Sequence, residues 1–354
     1  MKKINIIVFV ILNITTGVFA GGSLTPPAGT PAPTMKTLDE IDQSVSNTTA
    51  TVKIAEPRTP LVAGESGVYI NANGTISITQ SGSYYLTSNL TVSSLNGIVI
   101  NTNGVTLDLN GFTIRTSSAM ASGSGILIQG SNISICNGHI VSGTVYHSGA
   151  SGNQYTGPGF QNGIYAKEDD YTSICIHDVL VSGCKLNGIY LESWESVVES
   201  CAVKTVGSVG IQAGVVNNSF ASTCGRDAIY GYQIADCRGF STGGQGIHSK
   251  ITVANSYAYS IGVGDGIYSD GTVVNSYGYT TGNSRYSDGI QATEAVQNSY
   301  GFSLRGDGIR SKIVRYSSGR STGTASSADG IDATIAIGCI AEGGEHIAHK
   351  YLMP

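Results

Sequence analysis

The sequence predicts an all-β chain wound into a parallel β-helix, and three observations predict it. One short phrase returns at coil-sized intervals, a second returns between its copies, and turn residues punctuate both. The first phrase reads Gln245-Gly-Ile-His-Ser, Asp265-Gly-Ile-Tyr-Ser, Asp288-Gly-Ile-Gln-Ala, Asp307-Gly-Ile-Arg-Ser and Asp329-Gly-Ile-Asp-Ala. Its isoleucines, Ile247, Ile267, Ile290, Ile309 and Ile331, lie 20, 23, 19 and 22 residues apart. That period is too short for helix-pair repeats of about 33 residues and fits one coil of strands and turns. After each Ile the residues alternate small-inward and polar-outward, which is a strand period. The second phrase reads Val253-Ala-Asn-Ser-Tyr-Ala-Tyr, Val273-Val-Asn-Ser-Tyr-Gly-Tyr and Val296-Gln-Asn-Ser-Tyr-Gly-Phe, and it is expected as a second strand. Two or three short strands per coil stack into parallel sheets, so the chain is a solenoid.

Composition agrees. Glycine supplies 48 of 354 residues, about twice the ordinary share of ~7%, and turns in every coil account for it. Charged residues are sparse at 12%, and a net charge of −5 offers no basic field for nucleic acid. Nineteen tyrosines against one tryptophan suit a β-rich chain with surface aromatics.

Taken in order, residues 1–20 read as a bacterial export signal. Met1-Lys2-Lys3 is followed by an apolar run from Ile4 to Phe19, with Ala20 before the expected cut. The run is interrupted by Asn13, Thr15 and Thr16 and is short for a membrane span. The expectation is a secreted, periplasmic or cell-surface protein with no membrane insertion after signal removal. Residues 21–61 form a Pro/Thr/Ser-rich leader, within which Met35–Ser46 could make a short helix that caps the solenoid. Residues 62–354 are the β-helix domain, roughly a dozen coils, or ~55–60 Å at about 4.8 Å per coil. The interval from Ile126 to Ile164 is the longest, 38 residues. Its Gly/Ser-rich excess, Val141–Phe160, must leave the coil as a loop. Of seven cysteines, Cys201, Cys237 and Cys339 fall where other coils place serine, as small inward residues. Cys136 and Cys175 share a Ser-Ile-Cys frame on neighbouring coils and are the candidate disulfide.

The stretch Gly82-Ser-Tyr-Tyr-Leu-Thr-Ser-Asn-Leu, followed by Gly97-Ile-Val-Ile and Val105-Thr-Leu-Asp-Leu-Asn-Gly-Phe-Thr-Ile, resembles the opening of bacterial right-handed parallel β-helix repeat proteins. These belong to the pectin-lyase-like superfold, and the resemblance covers about Val62 to Ile347. It implies a right-handed coil and a ligand groove along the first-strand face. It does not select among lyases, hydrolases, esterases, epimerases and non-catalytic adhesins or tailspikes. Polygalacturonase-like members carry Asn-Thr-Asp, Asp-Asp, Gly-His-Gly and Arg-Ile-Lys in that order. Here Asn101-Thr-Asn, Gly138-His-Ile and Arg310-Ser-Lys match only in fragments. The Arg-x-Pro-x-x-Arg run of pectate lyases is absent.

With each Ile pointing inward, the first strand turns Tyr165, Tyr190, Tyr230, Tyr232, Tyr268 and Gln291 outward. Flat rings beside amides and charges suit sugars, which present apolar C–H faces ringed by hydroxyls. The same face carries Lys250, His248, Asp270 and Arg310. A uronate lyase would need a cation against the carboxylate and a Lys or Arg base, so Lys250 is the candidate base, with Asp270 its partner. The second strand turns out Phe220, Phe240, Tyr257, Tyr259, Tyr277, Tyr279, Tyr300 and Phe302, either a stabilising ladder or a binding platform. Asp227, Asp265, Asp288, Asp307 and Asp329 recur before the Gly-Ile phrase. Such a row could hold Ca²⁺, though a cap on each residue's own turn is the plainer reading; no other cofactor is indicated. The expected function is polysaccharide or cell-surface glycan binding without catalysis. A divergent lyase and a structural or adhesive envelope rod are the alternatives.

Overall fold

The structure is a computed structural model. It describes residues 57–351, apart from 94, 117–122, 150–153, 167, 169 and 324–327. The expected export signal, most of the leader and the helix over 35–46 lie outside these residues. The described chain is all β, without helix, and forms one compact unit.

Three parallel sheets run the length of the coil. The first begins at Ile76–Ile78 and passes through twelve successive parallel pairings to Glu345–Tyr351. This is the dozen coils the repeat predicts. The isoleucines of the phrase stack directly on one another, Ile247 on Ile267, Ile290, Ile309 and Ile331, all fully buried.

The second phrase is two strands rather than one. Val253, Val273 and Val296 lie on the second sheet, and Tyr257, Tyr277 and Tyr300 on the third. Between them Asn255, Asn275 and Asn298 take φ of 49°, 51° and 49°, the left-handed geometry that turns the chain through a corner. Asn accepts this conformation more readily than other side-chain-bearing residues. The carboxamides also bond along the rod, Asn275 Nδ2 donating to Asn255 Oδ1 (3.2 Å) and Asn298 Nδ2 to Asn275 Oδ1 (3.3 Å). Just inside the corner, each serine hydroxyl accepts the backbone N–H of the preceding coil, as Ser276 Oγ does from Ser256 N (3.2 Å). The hydroxyl donates to its own i−2 carbonyl, 2.8 Å for Ser276.

The coil tapers. At one inward position of the third sheet the residues in register are Ile114, Ile140, Val181, Val203, Ala221, Gly239, Ala258, Gly278, Gly301 and Gly319. Early coils are filled by aliphatics from all three sheets. In later coils the first and third sheets close on each other. A Cβ on Gly301 would lie 2.0 Å from the Gly308 carbonyl oxygen, and one on Gly319 2.0 Å from that of Gly330. Backbone packs on backbone there, and glycine is forced.

All seven cysteines are free. The expected Cys136–Cys175 bond does not form because the register is set by the buried isoleucines, Ile133 on Ile174 and Ile135 on Ile176. Cys175 is thereby opposite Ser134, and Cys136 opposite His177. The diagonal offset exceeds the ~7 Å reach of a disulfide between Cα atoms. Cys201 and Cys237 are buried in the serine column as expected, and burial pushes each thiol up to about 12.

Candidate functional site

The outward residues of the first sheet form one continuous row. In register they are Tyr165, Tyr190, Gln212, Tyr230, His248, Tyr268, Gln291, Arg310, Asp332 and His346. Five of them, Tyr165, Tyr190, Gln212, Tyr230 and His248, line a groove of about 530 Å³ that runs along the coil axis. Asn187, Ser208, Val209, Arg226 and Asp227 form its other side. These five sit on the turns that lead into the first sheet. Three of the turns are only four residues long, 185–188, 207–210 and 225–228, between strands ending at Cys184, Val206 and Cys224 and those beginning at Ile189, Ile211 and Ile229. Neighbouring connections are longer, so the surface is recessed here.

The long Ile126–Ile164 excursion does leave the coil, as an antiparallel hairpin of Val145–His147 and Gln154–Thr156. It folds back along the same short turns. A Cβ on Gly225 would lie 3.1 Å from the Tyr155 ring, and Tyr155 Oη shares a 2.8 Å hydrogen bond with Thr242 Oγ1. Burial raises the Tyr155 phenol well above its ordinary range.

At one end of the groove five of the expected residues meet, Tyr230, His248, Lys250, Tyr268 and Asp270. Tyr268 Oη donates to Asp270 Oδ1 (2.9 Å), and Lys250 Nζ donates to Asp270 Oδ2 (2.9 Å) while lying 6.0 Å over the Tyr230 ring. The hydrogen bond to Asp270 raises the Lys250 ammonium above its usual range, and the bond from Lys250 lowers the Asp270 carboxyl. His248 stands edge-on between Tyr230 and Tyr268, with centroids 4.7 and 4.9 Å away. Tyr232 is 41% exposed beside a break in register between Gly231 and Gln233. Gln291 follows Tyr268 in the row.

Arg310 lies two coils beyond Tyr268 and is committed elsewhere. Its guanidinium contacts Asp307 (2.7 Å), Asp288 (3.4 Å) and Asp332 (3.6 Å). The Asp row caps the next coil instead of its own turn. Asp265 Oδ1 accepts Asp288 N (2.6 Å), Asp288 Oδ1 accepts Asp307 N (2.7 Å), and Asp307 Oδ1 accepts Asp329 N (2.8 Å). With Oδ1 of Asp265, Asp288 and Asp307 each bound to backbone and Arg310 against Oδ2 of Asp288 and Asp307, these carboxylates do not fit a Ca²⁺ shell. Among the described residues no group of three or more His, Cys, Asp or Glu is placed to hold a metal.

The third sheet carries the second aromatic surface, which resolves into two stacks. Tyr257, Tyr277 and Tyr300 stack at 5.2 and 4.9 Å with planes 15° and 20° apart. Beside them run Phe240, Tyr259, Tyr279 and Phe302 at 5.1, 5.0 and 4.6 Å, with the outer two pairs stacked at 21° and 11° and Tyr259 meeting Tyr279 edge-on at 63°. Interior rings of the first stack cover each other's faces, so edges and hydroxyls point outward. That geometry suits mutual support more than sugar stacking. In the first-sheet row, Gln212 separates Tyr190 from Tyr230, so each of these two rings lacks an aromatic neighbour on the side toward Gln212, while on the other side Tyr190 lies 5.6 Å from Tyr165 and Tyr230 lies 4.7 Å from His248.

Sequence reasoning missed Asn187, Ser208 and Arg226. They share no fixed spacing, since Asn187 stands one residue before its Gly-Ile step while Ser208 and Arg226 stand two before a Gly-Ile and an Ala-Ile step.

No family model matches the chain, and no curated protein matches it. Two solved structures are similar. One is full-length tailspike protein 2 from Escherichia coli O157:H7 bacteriophage CAB120, at 15% identity and a TM-score of 0.26, covering 75% of this chain and 37% of that one. The other is the enzymatically active domain of tailspike protein 2 from bacteriophage CBA120, at 15% identity and a TM-score of 0.24, covering 79% of this chain and 40% of that one. This chain thus spans well under half the length of either.

Proposed function

We propose that this protein binds a polysaccharide laid along the outward face of its first sheet, outside the cell membrane, and does not cleave it. The carrying observation is the axial groove, where the adjacent rings of Tyr165 and Tyr190 are followed in register by Gln212, Tyr230 and His248. Rings with a free side and amides at coil spacing match a linear chain of apolar sugar faces and hydroxyls. Lys250 supports the non-catalytic reading. A base working near neutral pH needs a lowered ammonium pKa, and the bond to Asp270 moves Lys250 the other way.

The test is a polysaccharide panel with Ca²⁺ and with chelator, read by co-sedimentation and by ultraviolet absorbance of unsaturated uronate. Sedimentation without absorbance is expected, weakened at least tenfold in Tyr190→Ala and Tyr230→Ala. Rising absorbance, lost in Lys250→Ala, would make the protein a lyase. Absence of both signals would leave a structural rod.

A further inference from the structure

We propose that Asp227 fixes His248 in a single tautomer, making its Nε2 a dedicated acceptor for one hydroxyl of the bound saccharide. The inference rests on the saccharide-binding reading and names the group that selects the ligand. Asp227 is held on both oxygens. Oδ1 accepts the Gln245 backbone N–H (2.9 Å), and Oδ2 lies 3.2 Å from His248 Nδ1. A carboxylate so placed can only accept, so the imidazole proton sits on Nδ1 and Nε2 is left with a lone pair. That Nε2 is buried and has no hydrogen-bond partner. A buried acceptor left unpaired is costly, and a donor that reaches it is favoured accordingly.

The ring has two aromatic walls with unequal freedom. Tyr268 is tethered through its hydroxyl to Asp270 (2.9 Å). Tyr230 makes no such hydrogen bond among the described residues, and it is the wall that lines the groove. A saccharide hydroxyl gains Nε2 when the Tyr230 ring swings aside. Asp227 acts through His248 and is a positioning residue.

The experiment uses the full chain with ¹⁵N-labelled histidine at pH 8, well above the ordinary imidazole pKa of about 6.5. Two-bond ¹H–¹⁵N correlations report which nitrogen carries the proton. The wild type is expected to show Nδ1–H with Nε2 bare. Asp227→Asn keeps an oxygen for Gln245 N but turns an amide donor toward Nδ1, and is expected to move the proton to Nε2. Affinity is measured in parallel for hexamers of β-1,4-glucose, β-1,4-mannose and α-1,4-galacturonate. The best of these is expected to bind at least tenfold more weakly to Asp227→Asn and to His248→Gln. A wild-type Nε2–H tautomer overturns the proposal whatever the sugars do. The expected tautomers with unchanged affinity overturn the selecting role and leave glycan binding standing. If no hexamer binds the wild type, the binding reading falls and the proposal with it.

Discussion

The first and last halves of this solenoid solve the same packing problem with opposite materials. Up to about Val206, each coil is filled by Ile, Leu and Val from three sheets, as in Ile126, Ile128, Ile133, Ile135 and Ile140. From about Ile211 onward each coil keeps one Ile and mostly one Val or Ile, and the rest of its interior is small, chiefly Ala, Ser and Gly with Cys224, Cys237 and Thr280. The wide half is held chiefly by apolar burial. The narrow half relies on backbone contact, buried serine hydroxyls and a corner ladder of Asn. The groove lies where one passes into the other, because the turns are shortest there.

The largest expected effect breaks that contrast directly. Val203 and Gly301 occupy the same register position. Gly301→Val would drive a side chain into the Gly308 carbonyl, where even a Cβ meets oxygen at 2.0 Å. A loss of about 3 kcal/mol or more is expected in denaturant unfolding, or failure to fold. An unchanged midpoint would show that the sheets can separate there. Next, Ile267→Ala removes the one large first-sheet residue of its coil, fully buried. It should cost about 2–5 kcal/mol, and no change in midpoint would refute the inward stacking of the phrase.

The same contrast explains what could be read from the sequence. The narrow half is legible because its constraints name residues. Gly301 and Gly319 tolerate no Cβ, Asn255 and Asn275 must turn left-handed, and Ser256 and Ser276 must bridge coils. The wide half accepts any aliphatic, so its period blurs and its register is hidden. That is why the Ser-Ile-Cys frame misled: Ile133 stacks on Ile174 regardless of the flanking letters. The aromatic faces followed from alternation alone. Arg226 and Ser208 did not, since a turn side chain facing solvent obeys no periodicity.

A smaller effect separates the halves by charge. Asn96 and Asn187 accept the next coil's N–H from Ser124 (2.7 Å) and Val209 (3.1 Å), the same bond that Asp265, Asp288 and Asp307 make later. A neutral amide therefore suffices, and the carboxylates add charge that burial opposes. Desolvation raises both Asp265 and Asp288. In the folded state they hold protons that an unfolded carboxylate releases near pH 3.9. Above that value the folded state binds more protons, so stability falls as pH rises toward their elevated pKa values. The narrow half should melt lower at pH 8 than at pH 5, and Asp288→Asn should flatten that slope. A wild type equally stable at both values would sink this account.

The smallest expected effect lies at the end of the Asn ladder. Tyr316 occupies the corner that Asn298 holds one coil earlier, at φ of 49° and 50% exposed. A bulky residue in left-handed backbone carries about 1–2 kcal/mol of strain, and an exposed ring returns little of it. Tyr316→Asn relieves the strain and extends the amide ladder by one rung, since Asn298 is next to it in register. A gain of about 1 kcal/mol is expected in thermal or denaturant unfolding. A loss instead would mean that Tyr316 packs on its surroundings more strongly than the corner resists it, and that the narrow half depends on side-chain burial even at its rim.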